Sequence, residues 1–332
     1  MPAHAAVEAT GLVKRYGSTT ALGGIDLDVP TGTVTAVLGP NGAGKTTAVR
    51  ILTTLAEADE GEARVAGFDV RTHATEVRRR IGLAAQDATV DPLLTGRENL
   101  VMVGELHQFK RAEAKARAVE LLREFSLEDA ADRVTSGYSG GMRRRLDLAV
   151  TLVARPQVLF LDEPTTGLDP RARTDLWTVL DTLVGRGTTL VLTTQYLEEA
   201  ERLADDIVLI DHGQVIARGD ARKLKRQVGG DQVQAVVVEP ARLVDATAIL
   251  ARITGSEPTP DEATRSVTAP TSLGVEALVA VAGAFKEAQI AVDDLSLRQP
   301  TLDEVFLTLT GSVPDTPTAT DTDDDDTEET AA

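Results

Sequence analysis

An eight-residue segment of this chain matches the phosphate-binding loop pattern G-x-x-x-x-G-K-[ST], because residues 39–46 read Gly-Pro-Asn-Gly-Ala-Gly-Lys-Thr. The pattern is informative only between a strand and a helix. Here the apolar run 34–38 predicts a buried strand, and residues 45–55 have helical spacing. Glycines let backbone N–H groups surround a polyphosphate, and the dipole of the following helix favours its negative charge. The segment therefore predicts a phosphate-binding unit; the alternative is an ordinary glycine-rich turn before a helix.

The loop predicts which side chains contact a nucleotide. Lys45 is expected to reach the β- and γ-phosphates and to contribute to catalysis by neutralising charge there. The Thr46 hydroxyl is expected to be a Mg²⁺ ligand. The predicted nucleotide-binding residues of this segment are Gly39, Pro40, Asn41, Gly42, Ala43, Gly44, Lys45, Thr46 and Thr47.

A second motif occurs at residues 158–164, which read Val-Leu-Phe-Leu-Asp-Glu-Pro. Its apolar run is typical of a strand buried on both faces of a parallel sheet, and such sheets bind ligands at the carboxyl ends of their strands. Asp162 is therefore expected to hold Mg²⁺, directly or through water, and Glu163 to polarise a water for attack on the γ-phosphorus. A surface acidic pair closing a strand is the less favoured alternative.

A third segment, Tyr-Ser-Gly-Gly-Met-Arg at residues 138–143, precedes a predicted helix. The apolar side of that helix carries Leu146, Ala149, Val150 and Val153. Ser139 is a predicted N-cap, and Gly140 and Gly141 leave the helix N-terminus accessible to an anion. Within one chain this terminus cannot reach phosphates that the loop at 39–46 already holds. We therefore expect it to cover the nucleotide of a second copy.

These motifs resemble, in their order and spacing, those of ATP-binding-cassette (ABC) ATPases over about residues 7–220. The resemblance implies an α/β fold with the ABC-type core of P-loop NTPases, and ATP and Mg²⁺ as ligands. It also implies a head-to-tail homodimer in which Ser139, Gly140 and Gly141 contact the γ-phosphate of the partner copy. By the same resemblance, Tyr16 stacks on adenine, Gln86 touches Mg²⁺ and the attacking water, and Asp169 couples the two sites.

One position departs from the family pattern. After the predicted strand 188–192 the family usually has a histidine that contacts the γ-phosphate, whereas this chain has Gln195. A glutamine amide can donate a hydrogen bond, but it carries no positive charge and transfers no proton. Either the substitution is tolerated within one branch of the family, or hydrolysis depends almost wholly on Glu163 and is slow.

Three segments are similar to the daunorubicin/doxorubicin-resistance branch of drug-export ATPases, namely residues 138–144, 193–196 and 300–307. This resemblance implies export of a hydrophobic drug or natural product through a separate integral membrane permease subunit. The ATPase would then be peripheral, on the cytoplasmic face of the cell membrane. Gln86 and the predicted helical insert would receive the permease. Residues 93–95 are either contacts there or packing between subdomains.

Composition limits the chemistry available to the chain. At 332 residues it can form one large core and a smaller domain. It has no cysteine, which excludes disulfides, thiolate metal sites and cysteine catalysis. No apolar stretch approaches the roughly 18 residues that would span a bilayer, and the start shows no secretory signal. We expect a soluble protein whose membrane role depends on a partner.

The net charge of −18 is unevenly distributed, because eight acidic residues and no basic one follow Gly311, leaving −10 on the rest. An acidic body argues against nucleic-acid binding. We expect Arg143, Arg144 and Arg145 to be solvated or turned toward the second copy. The tail 312–332 is expected to be disordered and solubilising, with repulsion from an anionic membrane as the alternative.

We predict three parts in the chain. An ABC ATPase domain spans 1–225, with a mainly helical subdomain at about 86–150. An accessory domain spans 230–311, and the acidic tail follows. In the subdomain, the helix starting at Arg111 places Ala114, Ala118, Leu121, Leu122 and Phe125 on one stripe. The accessory domain reads β-α-β-α-β, which suggests a two-layer α+β, ferredoxin-like arrangement without a catalytic constellation.

The leading prediction is the ATP-binding and hydrolysing subunit of an export transporter. One alternative is a non-transport ATPase acting on DNA or the ribosome. The sequence shows neither the long heptad helices of DNA-maintenance members nor the second cassette of ribosome-associated members, which argues against this alternative. The other alternative is a nucleotide-sensing regulator without turnover, which the intact Glu163 disfavours.

Overall fold

The computed structural model describes residues 5–85, 90–228 and 230–310. Its strands are β1 (Ala5–Tyr16), β2 (Thr19–Pro30), β3 (Val34–Leu38), β4 (Glu60–Val65), β5 (Phe68–Asp69), β6 (Ile81–Ala84), β7 (Val158–Asp162), β8 (Thr189–Thr194), β9 (Asp206–Asp211), β10 (Gln214–Gly219), β11 (Gln232–Val237), β12 (Thr259–Asp261), β13 (Ser266–Pro270) and β14 (Val292–Arg298). Its helices are α1 (Lys45–Leu52), α2 (Ala74–Arg78), α3 (Gly96–Leu106), α4 (Arg111–Glu124), α5 (Gly140–Thr151), α6 (Pro170–Gly185), α7 (Leu197–Leu203), α8 (Ala221–Val228), α9 (Leu243–Thr254), α10 (Val275–Glu287) and α11 (Leu302–Thr310).

A six-stranded sheet, ordered β10-β9-β3-β8-β7-β6, forms the centre of the ATPase part. Strands β9, β3, β8, β7 and β6 are parallel, and β10 closes the edge as an antiparallel hairpin with β9. Strand β8 lies between β3 and β7, so Leu38 pairs with Thr194 and Asp162 pairs with Thr193. The carboxyl ends of these three strands therefore meet at one sheet edge, where parallel sheets bind ligands.

Strand β7 packs on both of its faces. Val158 and Phe160 pack with α1 and an antiparallel sheet ordered β2-β1-β4-β5. Leu159 and Leu161 point to the other face and pack with the helices that include α4, α5 and α6. Alternating side chains of one strand thus enter two hydrophobic cores, which is why an unbroken apolar run is needed here.

The helical subdomain lies between β6 and β7 in the chain and contains α3, α4 and α5. All five residues of the predicted α4 stripe are buried, and so are Leu146, Ala149, Val150 and Val153 of the α5 region. Helix α3 begins with a capping box, in which the Thr95 hydroxyl accepts from Glu98 N and the Glu98 carboxylate accepts from Thr95 N. The burial of the two apolar stripes confirms the predicted amphipathic faces of α4 and α5.

The C-terminal segment follows the order β11-α9-β12-β13-α10-β14, and its antiparallel sheet has the order β12-β13-β11-β14. Helices α9 and α10 pack on this sheet through one apolar cluster. The sequence did not predict β12, whose three residues are all exposed and include Pro260. Helix α11 leaves this unit, and its Leu302, Val305 and Phe306 pack beside α7, α8 and β3.

The predicted domain organisation includes positions outside the described residues. Gly229, one of the two glycines of the predicted domain boundary, is one such position, and the acidic tail 312–332 is another such segment. Within the described ranges, no helix is both long and apolar enough to cross a bilayer.

Candidate nucleotide-binding site

The backbone conformation of the loop between β3 and α1 requires glycine at two positions. A Cβ on Gly39 would lie 2.2 Å from the Ile210 carbonyl oxygen. Gly44 has φ 105°, and a Cβ there would lie 2.4 Å from the Ala21 carbonyl oxygen. Any larger residue would displace the loop from the hairpins that enclose it, so these two glycines hold its shape.

Helix α1 begins at Lys45 with Gly44 as its N-cap, and no described side chain caps it. Its first turn contains no acidic residue. The first N–H groups of a helix have no partner within the helix, and the helix dipole favours an anion there. The start of α1 therefore fits a phosphate group, as the sequence predicted.

Lys45 is directed back over the loop. Its side chain is only 4% exposed, and Nζ donates to the carbonyl oxygens of Gly39 at 2.8 Å and Pro40 at 3.1 Å. Nζ also lies 3.5 Å from Glu163 Oε1. Burial lowers the pKa of the Lys45 ammonium, while the carboxylates of Glu163 and Asp162 oppose that shift. A positive charge thus lies between the loop and the end of β7, where a triphosphate would need it.

Two side-chain oxygens that could bind a metal ion lie side by side where α1 faces the end of β7. Thr46 Oγ1 is 3.3 Å from Asp162 Oδ1, and the Thr193 hydroxyl donates to the same carboxylate oxygen. Asp162 is buried, so its orientation depends on these contacts. Hydroxyl and carboxylate oxygens are the ligands Mg²⁺ prefers, and it usually takes only one or two protein ligands beside phosphates. The pair Thr46 and Asp162 therefore fits Mg²⁺ bound with a nucleotide.

Glu163 follows directly on β7 and has a strained backbone. Its φ is 48°, a left-handed value that costs a non-glycine residue about 1–3 kcal/mol. Its N–H donates to Thr193 O at 3.1 Å and to Thr193 Oγ1 at 3.2 Å. The Thr166 hydroxyl donates to Glu163 Oε2 at 3.4 Å. These bonds hold the carboxylate beside Lys45, and the sequence reading had not identified Thr193.

The signature segment, residues 138–143, presents the start of α5 at the surface. The Ser139 hydroxyl accepts from Met142 N at 3.3 Å and so caps the helix, as predicted. Ser139 and Gly140 are exposed. A Cβ on Gly141 would lie 3.1 Å from the Ala172 Cβ, so the segment packs closely on the start of α6. Asp169 caps α6 by accepting from Ala172 N at 2.8 Å.

The prediction for the three arginines of α5 was wrong for two of them. Arg143 is exposed, but Arg144 and Arg145 are half-buried. Arg145 Nη1 donates to the Phe125 carbonyl oxygen at 3.1 Å. Arg144 donates to backbone carbonyls of two other segments. The start of α5 lies where the helical subdomain meets the central sheet, and buried carbonyl groups there require donors.

Tyr16, Gln86 and Gln195 are three further predicted site residues. Tyr16, at the end of β1, is 50% exposed, and Lys14 Nζ is 5.4 Å from its ring centroid. Gln86 lies outside the described residues. Gln195 follows β8, and its Oε1 is buried without a hydrogen bond from any residue that the structure describes.

A buried carboxyl group near Gln195 was also missed. Glu199 on α7 is fully buried, and Trp177 Nε1 of α6 donates to its Oε1 at 3.3 Å. Burial raises the pKa of Glu199. Helical spacing places this residue on the apolar face of α7, together with Leu203. That position in the sequence could have indicated the burial.

A Gln195→His variant tests whether position 195 limits turnover. If hydrolysis is slow because this position carries no charge, we expect kcat to rise by about three- to tenfold, since a charge-assisted bond to phosphate gains about 1 kcal/mol over a neutral one. Steady-state ATPase assays at pH 6 to 8 measure this. Gln195→Met, which removes the amide, is the matched control. An unchanged kcat in Gln195→His would show that the substitution is merely tolerated.

Comparisons with known proteins agree with this geometry. The profile of the ABC transporter family matches residues 22–166. The "Daunorubicin resistance ATP-binding protein DrrA2" of Streptomyces coeruleorubidus is 53% identical over 306 residues, which are 92% of this chain and 95% of that protein. The "Nod factor export ATP-binding protein I" of Burkholderia orbicola (strain AU 1054) is 40% identical over 251 residues, 75% of this chain and 83% of that protein.

A solved structure has a similar fold over the ATPase part. The dimeric, post-hydrolysis ATP-binding cassette MJ0796, bound to ADP and Pi, matches with a TM-score of 0.59 and 26% identity, covering 64% of this chain and 98% of that one. The resemblance to drug-resistance ABC ATPases is thus confirmed along nearly the whole chain by the first relative. The chain belongs to the ATP-binding proteins of the ABC transporter family, with the daunorubicin-resistance proteins among its relatives.

Proposed function

We propose that this protein powers the export of a hydrophobic drug or natural product through a separate integral membrane permease. The observation that carries the proposal is the meeting of Lys45, Thr46, Asp162 and Glu163 at one sheet edge. This site lies in a chain that is 53% identical to a daunorubicin-resistance ATP-binding protein. The enzymatic reaction is ATP hydrolysis, because an ABC ATPase domain with this arrangement of charges performs phosphoryl transfer to water.

Each site residue has a proposed task in hydrolysis. Lys45 and the N–H groups at the start of α1 bind and neutralise the phosphates. Thr46 and Asp162, with Gln86, hold Mg²⁺, which supplies further charge neutralisation when it is bound. Glu163 orients and deprotonates the attacking water, since its carboxylate is fixed by the Thr193 and Thr166 contacts. Tyr16 is exposed enough to stack on the adenine ring.

The active form is proposed to be a head-to-tail homodimer. Ser139 and Gly140 are exposed at the N-terminus of α5, whose first turn contains no acidic residue. An accessible helix N-terminus of this kind suits the γ-phosphate of a partner copy. The structurally similar cassette MJ0796 was solved as a dimer. Asp169, exposed at the start of α6, would couple the two sites across the same interface.

A permease partner is proposed for the helical subdomain. Leu93, close to Gln86 in the chain, is 81% exposed, which excludes simple packing between subdomains for this residue. We propose that Leu93 contacts the permease, because the family resemblance assigns this part of the chain to the face that receives a membrane subunit. The subunit would then be peripheral, on the cytoplasmic face of the membrane. We propose no nucleic-acid partner, because the chain carries a net charge of −18.

The C-terminal part is proposed to be an accessory domain of the ferredoxin-like class. The order β12-β13-β11-β14 with two helices on one face supports this assignment. We propose that the acidic tail 312–332, which lies outside the described residues, stays unfolded and solubilises the protein.

Drug-dependent ATP hydrolysis tests the transport function. The full chain is co-purified with its integral membrane partner and placed in lipid vesicles, with daunorubicin as the probe. We expect the drug to stimulate ATPase activity and ATP to drive drug movement across the vesicle membrane. A Lys45→Met complex is the control and should do neither. Full-length protein that associates with DNA or ribosomes, and not with a membrane protein, would contradict the proposal.

A further inference from the structure

We propose that Arg144 of α5 is a positioning residue that sets the orientation of Glu163. Its guanidinium group links α5 to the ends of both β6 and β7. The inference rests on the proposed role of Glu163 as the base. The Arg144 side chain would then connect the helical subdomain to the catalytic carboxylate.

Arg144 binds four backbone carbonyl oxygens from two separate segments. Nε donates to Pro164 O at 2.8 Å, and Nη1 donates to Ala85 O at 2.9 Å. Nη2 approaches Glu163 O at 3.3 Å and Asp162 O at 3.4 Å. Three of these carbonyls belong to the segment 162–164, which carries Asp162 and Glu163, and the fourth belongs to Ala85 at the end of β6. A single planar group thus connects α5 to the ends of both β6 and β7.

Arginine is specifically suited to this position. Its guanidinium presents five N–H donors in a rigid fork, whereas a lysine ammonium on a flexible stem cannot span both segments. Burial lowers the pKa of Arg144, and the carboxylates of Asp147, Glu199 and Asp162 oppose that shift. Arg144 is thus a half-buried cation whose charge is stabilised by these carboxylates and by the carbonyl oxygens that it binds.

The backbone of Glu163 is held from two sides. Its left-handed backbone is held at its N–H by Thr193 of β8 and at its carbonyl by Arg144 of α5. One attachment belongs to the central sheet and the other to the helical subdomain. A rotation of the subdomain would therefore change the peptide that orients the Glu163 carboxylate. Arg144 would act on catalysis through Glu163 and not by touching the nucleotide.

The test compares Arg144→Met and Arg144→Lys with Arg145→Met. Arg145 is the matched control, because it lies on the same helix and also donates to a backbone carbonyl, but only within its own subdomain. We expect both Arg144 variants to lower kcat by about 10- to 100-fold, since small misplacements of a catalytic group have effects of this size. The Kd for ATP should change by less than about twofold, because Arg144 does not contact the phosphate loop.

Two readouts separate positioning from loss of folding. Thermal unfolding should place Arg144→Lys close to Arg145→Met, and Arg145→Met should keep the wild-type kcat. If Arg144→Met does not fold, the kcat of Arg144→Lys alone tests the inference. Wild-type kcat in a folded Arg144→Lys protein would overturn the inference, as would an equal kcat loss in Arg145→Met. If Glu163→Gln instead retained turnover, the proposed function of Glu163 would fail, and the two failures are thus distinguishable.

Discussion

A Glu163→Gln variant is expected to bind ATP normally and to hydrolyse it about 10²- to 10⁴-fold more slowly, the range by which a general base contributes to catalysis. The amide has the shape of the carboxylate but cannot accept a proton at neutral pH. The peptide of Glu163 is held by Thr193, so the substitution should leave the backbone in place. Single-turnover kinetics and equilibrium nucleotide binding measure the two effects separately. With ATP present, the dimer should accumulate in size-exclusion chromatography.

The matched control is Glu198→Gln, an identical chemical change on α7. The Glu198 side chain is 74% exposed and lies 3.8 Å from Arg173. Surface ion pairs of this kind contribute about 0–1 kcal/mol, so both stability and kcat should stay close to wild type. Normal turnover by Glu163→Gln would remove the general base from the proposal, whatever the control shows.

Adding Ser139→Asp to the Glu163→Gln protein is expected to prevent ATP-dependent dimer formation. Aspartate is as good an N-cap as serine, so α5 should keep its first turn. The new carboxylate would face the triphosphate of the partner copy. Opposed like charges at an interface cost several kcal/mol, which weakens association by about 100-fold or more. Sedimentation with and without ATP measures the dimer, and binding to the monomeric form should keep its wild-type Kd.

Ser139→Asn in the same background isolates the charge. Asparagine matches aspartate in shape and in capping preference but is neutral. We expect this double variant to dimerise far more readily than its aspartate counterpart. Equal dimerisation of the two would mean that Ser139 does not face a nucleotide. ATP turnover by a strictly monomeric preparation would contradict the composite site as a whole.

Much of the site could be predicted because its parts are contiguous in the chain. The phosphate loop needs Gly39, Gly44 and Lys45 at fixed spacing, and its strand and helix are adjacent in sequence. The N-cap at Ser139 and the apolar faces of α4 and α5 also depend on neighbouring residues. Local backbone geometry dictates such patterns, so the sequence displays them directly.

The parts that escaped prediction depend on strand order and on packing between distant segments. Thr193 supports Asp162 and Glu163 only because β8 lies beside β7. Arg144 appeared to be one of three surface arginines, because a run of charges in a helix does not reveal which residue faces buried carbonyls. Strand β12 was missed since three exposed residues with a proline have no apolar alternation. Each of these features requires a neighbour that is remote in the chain.

Strand β7 has a consequence for how this protein loses its structure. Phe160 and Leu161 are adjacent in the chain, yet they fill cores on opposite sides of the sheet. Melting of either core would disrupt the backbone that the other requires, so we expect the two cores to unfold together. Asp162 and Glu163 continue directly from this strand. We therefore expect a destabilising change deep in either core to remove activity in the same transition that unfolds the central sheet.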